Sequence, residues 1–530
     1  MSEAGSTTAP IDAKRIDDLI AMMREQRVGG AFWAHAFAGR QPGIIIRPAS
    51  YPEADAIAAT LSEIEREGVL WLSGISRGRR LPGETLDREV DPWSLLDNRP
   101  TVLAHGDDEW VALAHIAGCR VRILSSGRFG EPHATPEQIR QAVGRYLFGT
   151  MYRDPFTETA SDAETIVERL ADWRRIQAAN QGIVAACGIA WWKRLEIRRF
   201  LGTPAHPLRF FLSERQAIRH AARQGGAIAV WPSRISAGMA GKAASAGVSL
   251  VRVEDGFVRS VGLGSNLVPP SSITVDRQGI HYDPGHPSDL ETMLQEATFP
   301  ASLLDRAERL RETMLRAGIS KYGIGGSSPF RERKPGRRLV LVPGQVEDDM
   351  SVRLGGGGLA SNLELIRRAR ALEPDAEIWF RPHPDVDAGH RRGVVPDADA
   401  LRFADRVVRG GGMAALLDRV DAVHVLTSLT GFEALLRGHD VTCHGVPFYA
   451  GWGLTRDLAP IPARRGRQRT LAELVAAVLI VYPRYLDPVT GLPCPPEVLI
   501  SRMTDGADHN RLGWVTRLRK LQGKLTRRRS

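Results

Sequence analysis

The chain has 530 residues, 43% of them hydrophobic and 25% charged, which is more than one core supports and excludes wholesale disorder, collagen-like structure and a membrane bundle. Its 71 Lys and Arg against 61 Asp and Glu leave a net charge of +10, which favours an anionic partner without choosing among nucleic acid, anionic lipid and sugar nucleotide. The four cysteines, Cys119, Cys187, Cys443 and Cys494, have no short paired spacing, so a reducing compartment is expected rather than a disulfide framework or a zinc site.

Taken in chain order, residues 1–10 are small and polar, without the cationic and apolar runs of a signal peptide, and a cytoplasmic location is expected. Apolar or β-branched runs then alternate with helical periodicity at 43–46, 102–104, 121–124, 227–231, 249–253, 339–342, 377–380 and 422–426. That alternation is the pattern of βαβ units around a parallel sheet, and the nearly all-apolar runs suit strands buried on both faces. The most apolar stretches, 182–192 and 474–481, fall short of the roughly 20 residues of a bilayer span, so membrane association is expected to be peripheral. A tract rich in Gly, Ser, Pro and Arg at 323–338 reads as a linker, and a second boundary is expected at 198–207. The expected organisation is an N-terminal α/β region 1–200, α/β domains at 201–330 and 331–505, and a basic tail 506–530. The clusters at 464–469 and 517–529 read either as solvated segments or as anion-binding surface.

A weak internal echo runs through the chain. Leu95-Leu96-Asp97, a strand, a helix and Gly118-Cys119-Arg120-Val121 parallel Leu416-Leu417-Asp418, a strand, a helix and Gly438-His439-Asp440-Val441. Further on, Asp154-Pro155-Phe156-Thr157 parallels Asp487-Pro488-Val489-Thr490. The first copy lacks the polar loop 427–433 of the second, so it reads as a degenerate module.

Chemistry-bearing residues gather where strands are expected to end. Glu254 and Asp255 follow the run 249–253, at the edge where open α/β sheets bind ligands, although an Asp-Gly turn alone also accounts for them. Gln345, Glu347, Asp348, Asp349 and Ser351 follow the run 339–342, ahead of Gly355–Gly358, glycines that allow close backbone approach or simply loosen a loop. Arg381 and His383 follow the run 377–380; prolines on both sides of His383 restrict its backbone, and the pair suits a phosphate. Ser428, Thr430 and Gly431 open a helix and suit an anion, while Glu433 is either favoured there by the dipole or reaches a ribose hydroxyl.

The ordered segments VEDGFVRSVGLGSNLVPP, SKYGI, QVEDDMSVRLGGGG, RPHPDV, TSLTGFEALLRG, PFYAGWGLT and YPRYLDPVTG resemble the bacterial capsule polysaccharide biosynthesis and export family of β-Kdo glycosyltransferases. The resemblance covers about residues 231–502 and implies two facing Rossmann-like domains of glycosyltransferase-B type, with a complete C-terminal module and a truncated N-terminal one. It implies a retaining transferase that takes Kdo from CMP-Kdo to a lipid-linked Kdo acceptor in capsule assembly. It further implies Asp349 as nucleophile, Glu254 or Asp255 as acid/base, and Gln345, Ser351, Arg381, His383, Ser428, Thr430, Gly431 and Glu433 around the nucleotide. Neither a metal nor a further cofactor is expected. The expected partners are CMP-Kdo, its acceptor, the anionic inner-leaflet surface and other capsule assembly proteins, with no nucleic acid. The rival expectation is a catalytically silent scaffold of capsule assembly.

Overall fold

All the runs expected to be strands are strands, and the sheets they enter are those of an α/β protein. The computed structural model describes residues 12–72, 81–259, 268–320, 323–324 and 333–505. Residues 1–10, the middle of the tract 323–338 (325–332), the loop glycines Gly262 and Gly264, and the tail with its cluster 517–529 therefore lie outside the described residues. The chain divides into two compact units, Met1–Gln181 with Thr203–Pro207, and Gly182–Gly202 with Leu208–Ser530.

The first unit is built on a parallel sheet of strands β1 (Ile44–Ile46), β2 (Val69–Leu72), β3 (Glu84–Leu86), β4 (Thr101–Ala104) and β5 (Arg120–Ile123), in the order β3-β2-β1-β4-β5. The helix Ala13–Gln26 buries Ile16, Leu19, Ile20 and Met23, spaced as one helical face, into the core of this unit. The helix Glu109–Ala117 after β4 starts at the cap Asp108 and ends at Gly118, whose φ of 80° supplies the left-handed exit.

The second unit holds two domains. In the first, β6 (Ile183–Cys187), β7 (Arg209–Phe211), β8 (Ala227–Val230) and β9 (Leu250–Asp255) are mutually parallel, and β10 (Ser272–Asp276) returns antiparallel to β9. In the second, β11 (Leu339–Pro343), β12 (Glu377–Arg381), β13 (Arg406–Val407), β14 (Ala422–Val425), β15 (Asp440–Cys443) and β16 (Arg456–Asp457) form a parallel sheet ordered β13-β12-β11-β14-β15-β16. This is the doubly wound dinucleotide order, with its switch point between β11 and β14. The chain then returns to the first domain, where β17 (Pro483–Leu486) and β18 (Pro493–Cys494) extend its sheet to seven strands through antiparallel pairing on β10.

Three expectations are corrected here. The boundary expected at 198–207 falls before Gly182, because the apolar run that follows is β6, paired in the sheet to β7 and β8. The segment 483–494, expected in the second domain, is sheet of the first, so the sheet is mixed rather than parallel. The cluster 464–469 is only partly solvated, at Gly466 and Gln468, and its buried arginines are spent within the protein. Arg465 is buried on Glu291 at 2.8 Å and on the carbonyls of Pro447 and Ala450, and Arg469 donates to the carbonyls of Leu294 and Ala297, clasping the two domains together.

The internal echo is structural. β4 and β14 each occupy the fourth position of their sheets, beside the first strand. Capping boxes on Thr135 and Thr470 start the later helices. In each copy the Asp-Pro-x-Thr carboxylate caps its own turn and meets an Arg 15 residues on, Arg169 for Asp154 at 2.9 Å and Arg502 for Asp487 at 2.9 Å.

Candidate functional site

The residues that could do chemistry stand at the carboxyl ends of β9, β11, β12 and β14, where the two domains of the second unit border a cavity of about 560 Å³. Its walls carry Glu254 and Asp255 from the first domain. From the second come Gln345, Asp349, Ser351, Arg381, His383, Ser428, Thr430 and Glu433. Except for Gly431, every site residue expected from the sequence lines it.

At the switch point, Gln345 is fixed at both ends. Its backbone amide donates to Asn362 Oδ1 at 2.9 Å and its carbonyl accepts from Asn362 Nδ2 at 2.8 Å. Its side-chain amide spans the crevice to Thr427, accepting from the Thr427 amide at 2.9 Å and donating to the hydroxyl at 3.0 Å. Asp349 caps the short helix Met350–Gly355, and its Oδ1 accepts from both the amide and the hydroxyl of Ser351, at 3.0 and 2.8 Å. The Thr427 hydroxyl approaches that of Ser351 at 3.5 Å, so a chain of polar groups runs from Gln345 to the Asp349 carboxylate. Of the neighbouring acids, Glu347 is spent on the Asn362 amide at 2.8 Å and Asp348 on Arg391 at 3.2 Å, which leaves Asp349 as the acid of this loop facing the cavity.

On the opposite wall, Glu254 and Asp255 are the last residues of β9, carried further than expected because β10 pairs with them. The two carboxylates differ in their surroundings. Asp255 is held at 2.8 Å by Lys193 Nζ and at 2.9 Å by Arg259 Nε, cations that are 8% and 1% exposed at the side chain. Lys193 also sits 3.5 Å from the ring centroid of Trp231, and burial pulls its pKa below the ordinary lysine value despite Asp255 and Glu254. Tyr282 also lines the cavity, with its hydroxyl buried; burial, then the carboxylates of Glu254 and Asp349, raise its pKa well above the usual tyrosine range. Phe257 and Phe448, one from each domain, meet at 4.6 Å beside His281 and form an aromatic wall.

The phosphate-type residues are arranged unequally. His383 begins a turn of helix, and its Nδ1 accepts from the Asp385 amide at 3.2 Å; in the neutral ring this puts the proton on Nε2. Arg381 lines the cavity but donates Nη1 to the Gly410 carbonyl and Nη2 to that of Gly411, the latter at 2.7 Å. Ser428 Oγ accepts from the Thr430 amide at 3.2 Å and lies 3.1 Å from the Thr430 hydroxyl. The cradle expected from the Gly431 amide is not formed, because that amide donates to the Ser428 carbonyl at 3.1 Å. Gly431 is needed for packing instead, since a Cβ there would lie 2.2 Å from the Tyr449 hydroxyl. The run Gly355–Gly358 likewise serves the chain: a Cβ on Gly355 would press on Thr427 at 3.0 Å, and Gly357 and Gly358 take φ of 59° and 85° to leave the helix. Among the described residues no group of three or more His, Cys, Asp and Glu side chains is placed to hold a metal, and no helix is long and apolar enough to cross a membrane.

Sequence reasoning missed Lys193, Tyr282 and the aromatic wall. Lys193 precedes Asp255 by 62 residues and carries no motif, whereas Phe448 stood inside the quoted segment PFYAGWGLT.

Residues 226–329 and 327–485 match the family described as "Capsule polysaccharide biosynthesis protein". The chain is 40% identical over 357 residues to the capsule polysaccharide modification protein LipA of Neisseria meningitidis serogroup B, covering 67% of this chain and 50% of that one. It is 46% identical over 241 residues to the lipopolysaccharide-processing protein LpsZ of Rhizobium meliloti, covering 45% and 54%. The chain thus spans about half the length of the curated relatives it matches. Among solved structures it is similar to the β-Kdo 2,7 transferase of Thermosulfurimonas dismutans KpsC, with 34% identity, a TM-score of 0.50, and coverage of 61% of this chain and 99% of that one. The β-Kdo 2,4 transferase of the same protein gives 33% identity, a TM-score of 0.52, and coverage of 61% and 98%.

Proposed function

The chain belongs to the capsule polysaccharide biosynthesis family, and from that premise we propose that it is a retaining β-Kdo transferase using CMP-Kdo to extend the Kdo linker of a lipid-anchored capsular polysaccharide. The observation that carries the proposal is the cavity between two Rossmann-like domains, with Glu254 on one wall, Asp349 on the other and the polar groups of His383, Ser428 and Thr430 beside them.

In the first step the Asp349 carboxylate attacks the anomeric carbon; the bond to the phosphate oxygen breaks, and CMP leaves with the electron pair. Because a phosphate monoester leaves as an anion, His383 Nε2–H and the hydroxyls of Ser428 and Thr430 are sufficient to receive it by hydrogen bonding. In the second step Glu254 takes the proton of the acceptor hydroxyl, whose oxygen displaces Asp349 and restores it, so that two inversions give retention. Asp255, already engaged by Lys193 and Arg259, is assigned to holding the end of β9 rather than to proton transfer. Arg381, through Gly410 and Gly411, orders the loop beside the phosphate. Glu433 is assigned to the ribose, and no metal enters the scheme.

The N-terminal unit is assigned a non-catalytic role. Its own switch-point crevice, about 490 Å³, holds the ion pair Arg47–Asp108 at 2.7 Å, and Asp108 and Glu109 stand at its helix start, where they disfavour a phosphate. Incubation with CMP-Kdo and a synthetic Kdo-terminated acceptor tests the proposal: CMP release with a β-linked product by mass and NMR analysis is expected. Tight CMP binding without product would instead identify a silent scaffold.

A further inference from the structure

The first domain carries, away from the cavity, a group of cations without counter-ions. The helix Glu214–Gln224 presents Arg215, Arg219 and Arg223 to solvent, at a spacing of four that keeps them within about 80° of one another around the axis. Arg209 on β7 and Arg198 on the helix Arg194–Leu201 are exposed beside them. Among the described residues none of these five has an acidic partner. The one acid of the helix, Glu214, is occupied by the amide and hydroxyl of Ser236 at 2.6 and 2.7 Å. Arg209 and Arg223 converge near His220, whose pKa is lowered by burial and then by these two charges.

Apolar side chains stand at the Arg215 end of this group. Leu212, directly between β7 and this helix, is 89% exposed, and Trp191 is 60% exposed. β6 and β7 pair with Cys187 opposite Phe211, so Trp191 and Leu212 both emerge from the carboxyl edge of the sheet. That is the edge at which β9 presents Glu254. Phe210, flanked by Arg194 at 5.7 Å and Arg198 at 5.3 Å, ties the basic and apolar parts together.

We propose that this face, Arg198, Arg209, Arg215, Arg219 and Arg223 with Leu212 and Trp191 at its carboxyl edge, docks the enzyme on an anionic phospholipid surface. Unpaired guanidinium groups match a layer of phosphates, and exposed Leu and Trp match the interface beneath it; a nucleic acid would use the charges and leave Leu212 in water. The inference rests on the reading of a lipid-anchored acceptor, since docking at the carboxyl edge brings the Glu254 wall to the membrane.

The test is sedimentation of the full chain with vesicles of phosphatidylglycerol and phosphatidylcholine in equal parts, and with phosphatidylcholine alone. Binding to the anionic vesicles alone is expected, weakened by more than about tenfold in R215E/R219E/R223E, restored with Lys at the same positions, and weakened in L212S/W191S at high salt. The thermal transition, unchanged in these surface variants, separates lost docking from lost folding. Wild-type binding by the Glu variant would overturn the proposal, as would preferential binding of duplex DNA over the vesicles. Transfer to a water-soluble acceptor, assayed alongside, stays at the wild-type rate in the Glu variant; absence of transfer from every form would count against the transferase and leave the vesicle result to judge the surface.

Discussion

Gln345 and Thr427 join the first and fourth strands' loops by two hydrogen bonds, the glutamine amide matching the amide and hydroxyl of the threonine at 2.9 and 3.0 Å. The pair closes the crevice that the doubly wound topology leaves open, and it begins the chain of polar groups that ends on Asp349. Gln345→Ala leaves the Thr427 amide without its acceptor, and a loss of about 1–3 kcal/mol is expected from urea unfolding. An unchanged transition midpoint would show that water replaces the amide at no cost.

Asp349→Asn separates capping from chemistry. Asn caps a helix as well as Asp does, so stability is expected within about 0.5 kcal/mol of wild type while transfer disappears. Asp349→Ala loses both, and CMP affinity by calorimetry stays near wild type in each. Transfer above a few per cent of the wild-type rate in the Asn variant would remove Asp349 from the nucleophile's role.

Glu254→Gln and Asp255→Asn are expected to fail differently. The first spares folding and stalls the second displacement, so CMP appears in a burst of about one equivalent and intact-mass analysis finds the sugar on the enzyme. The second strands the buried Lys193 and Arg259 and costs about 3–5 kcal/mol of stability. The reverse pattern would exchange the two assignments.

His383→Ala removes the Nε2 donor and is expected to weaken CMP binding by roughly 1.5–3 kcal/mol. Calorimetry giving the wild-type affinity would place His383 outside the phosphate site.

Acid is expected to destabilise the second domain through His424 and His444, whose rings meet at 3.1 Å beneath its sheet, with Glu373 at 3.6 Å and Arg338, Arg368 and Arg456 around them. Burial above all lowers both pKa values to about 4. The unfolded chain therefore binds more protons than the folded one between about pH 6.5 and 4, and stability falls as pH drops through that window. Carboxylates such as Glu364, held at about 2 by Arg367 and Arg368, titrate below it. The urea midpoint of His444→Gln is expected to vary less between pH 7 and 5 than that of wild type; parallel curves would exclude the pair as the cause.

The family, the strands and the acids at their ends were legible in the sequence because they are local: apolar runs name buried strands, and motifs keep their order. Asp349, Glu254, His383 and Ser428, which line the cavity, were named on that basis. The partition of roles was not local. Asp255 and Glu254 are adjacent and chemically alike, and only the approach of Lys193 and Arg259, from 62 residues before and four after, distinguishes them. The glycines were ambiguous for a related reason: Gly431 read as part of an anion site and Gly355–Gly358 as close approach for a ligand or as a loose loop, whereas the atoms that crowd a side chain at Gly431 and Gly355 belong to Tyr449 and Thr427, brought in by folding. The basic run 464–469 is ordinary surface by composition and becomes a clasp because Glu291 and the carbonyls of Leu294 and Ala297 meet it across the domains. Sequence patterns specify which backbone is buried, but which charge is neutralised depends on groups distant in the chain, and that is decided when the sheets pack.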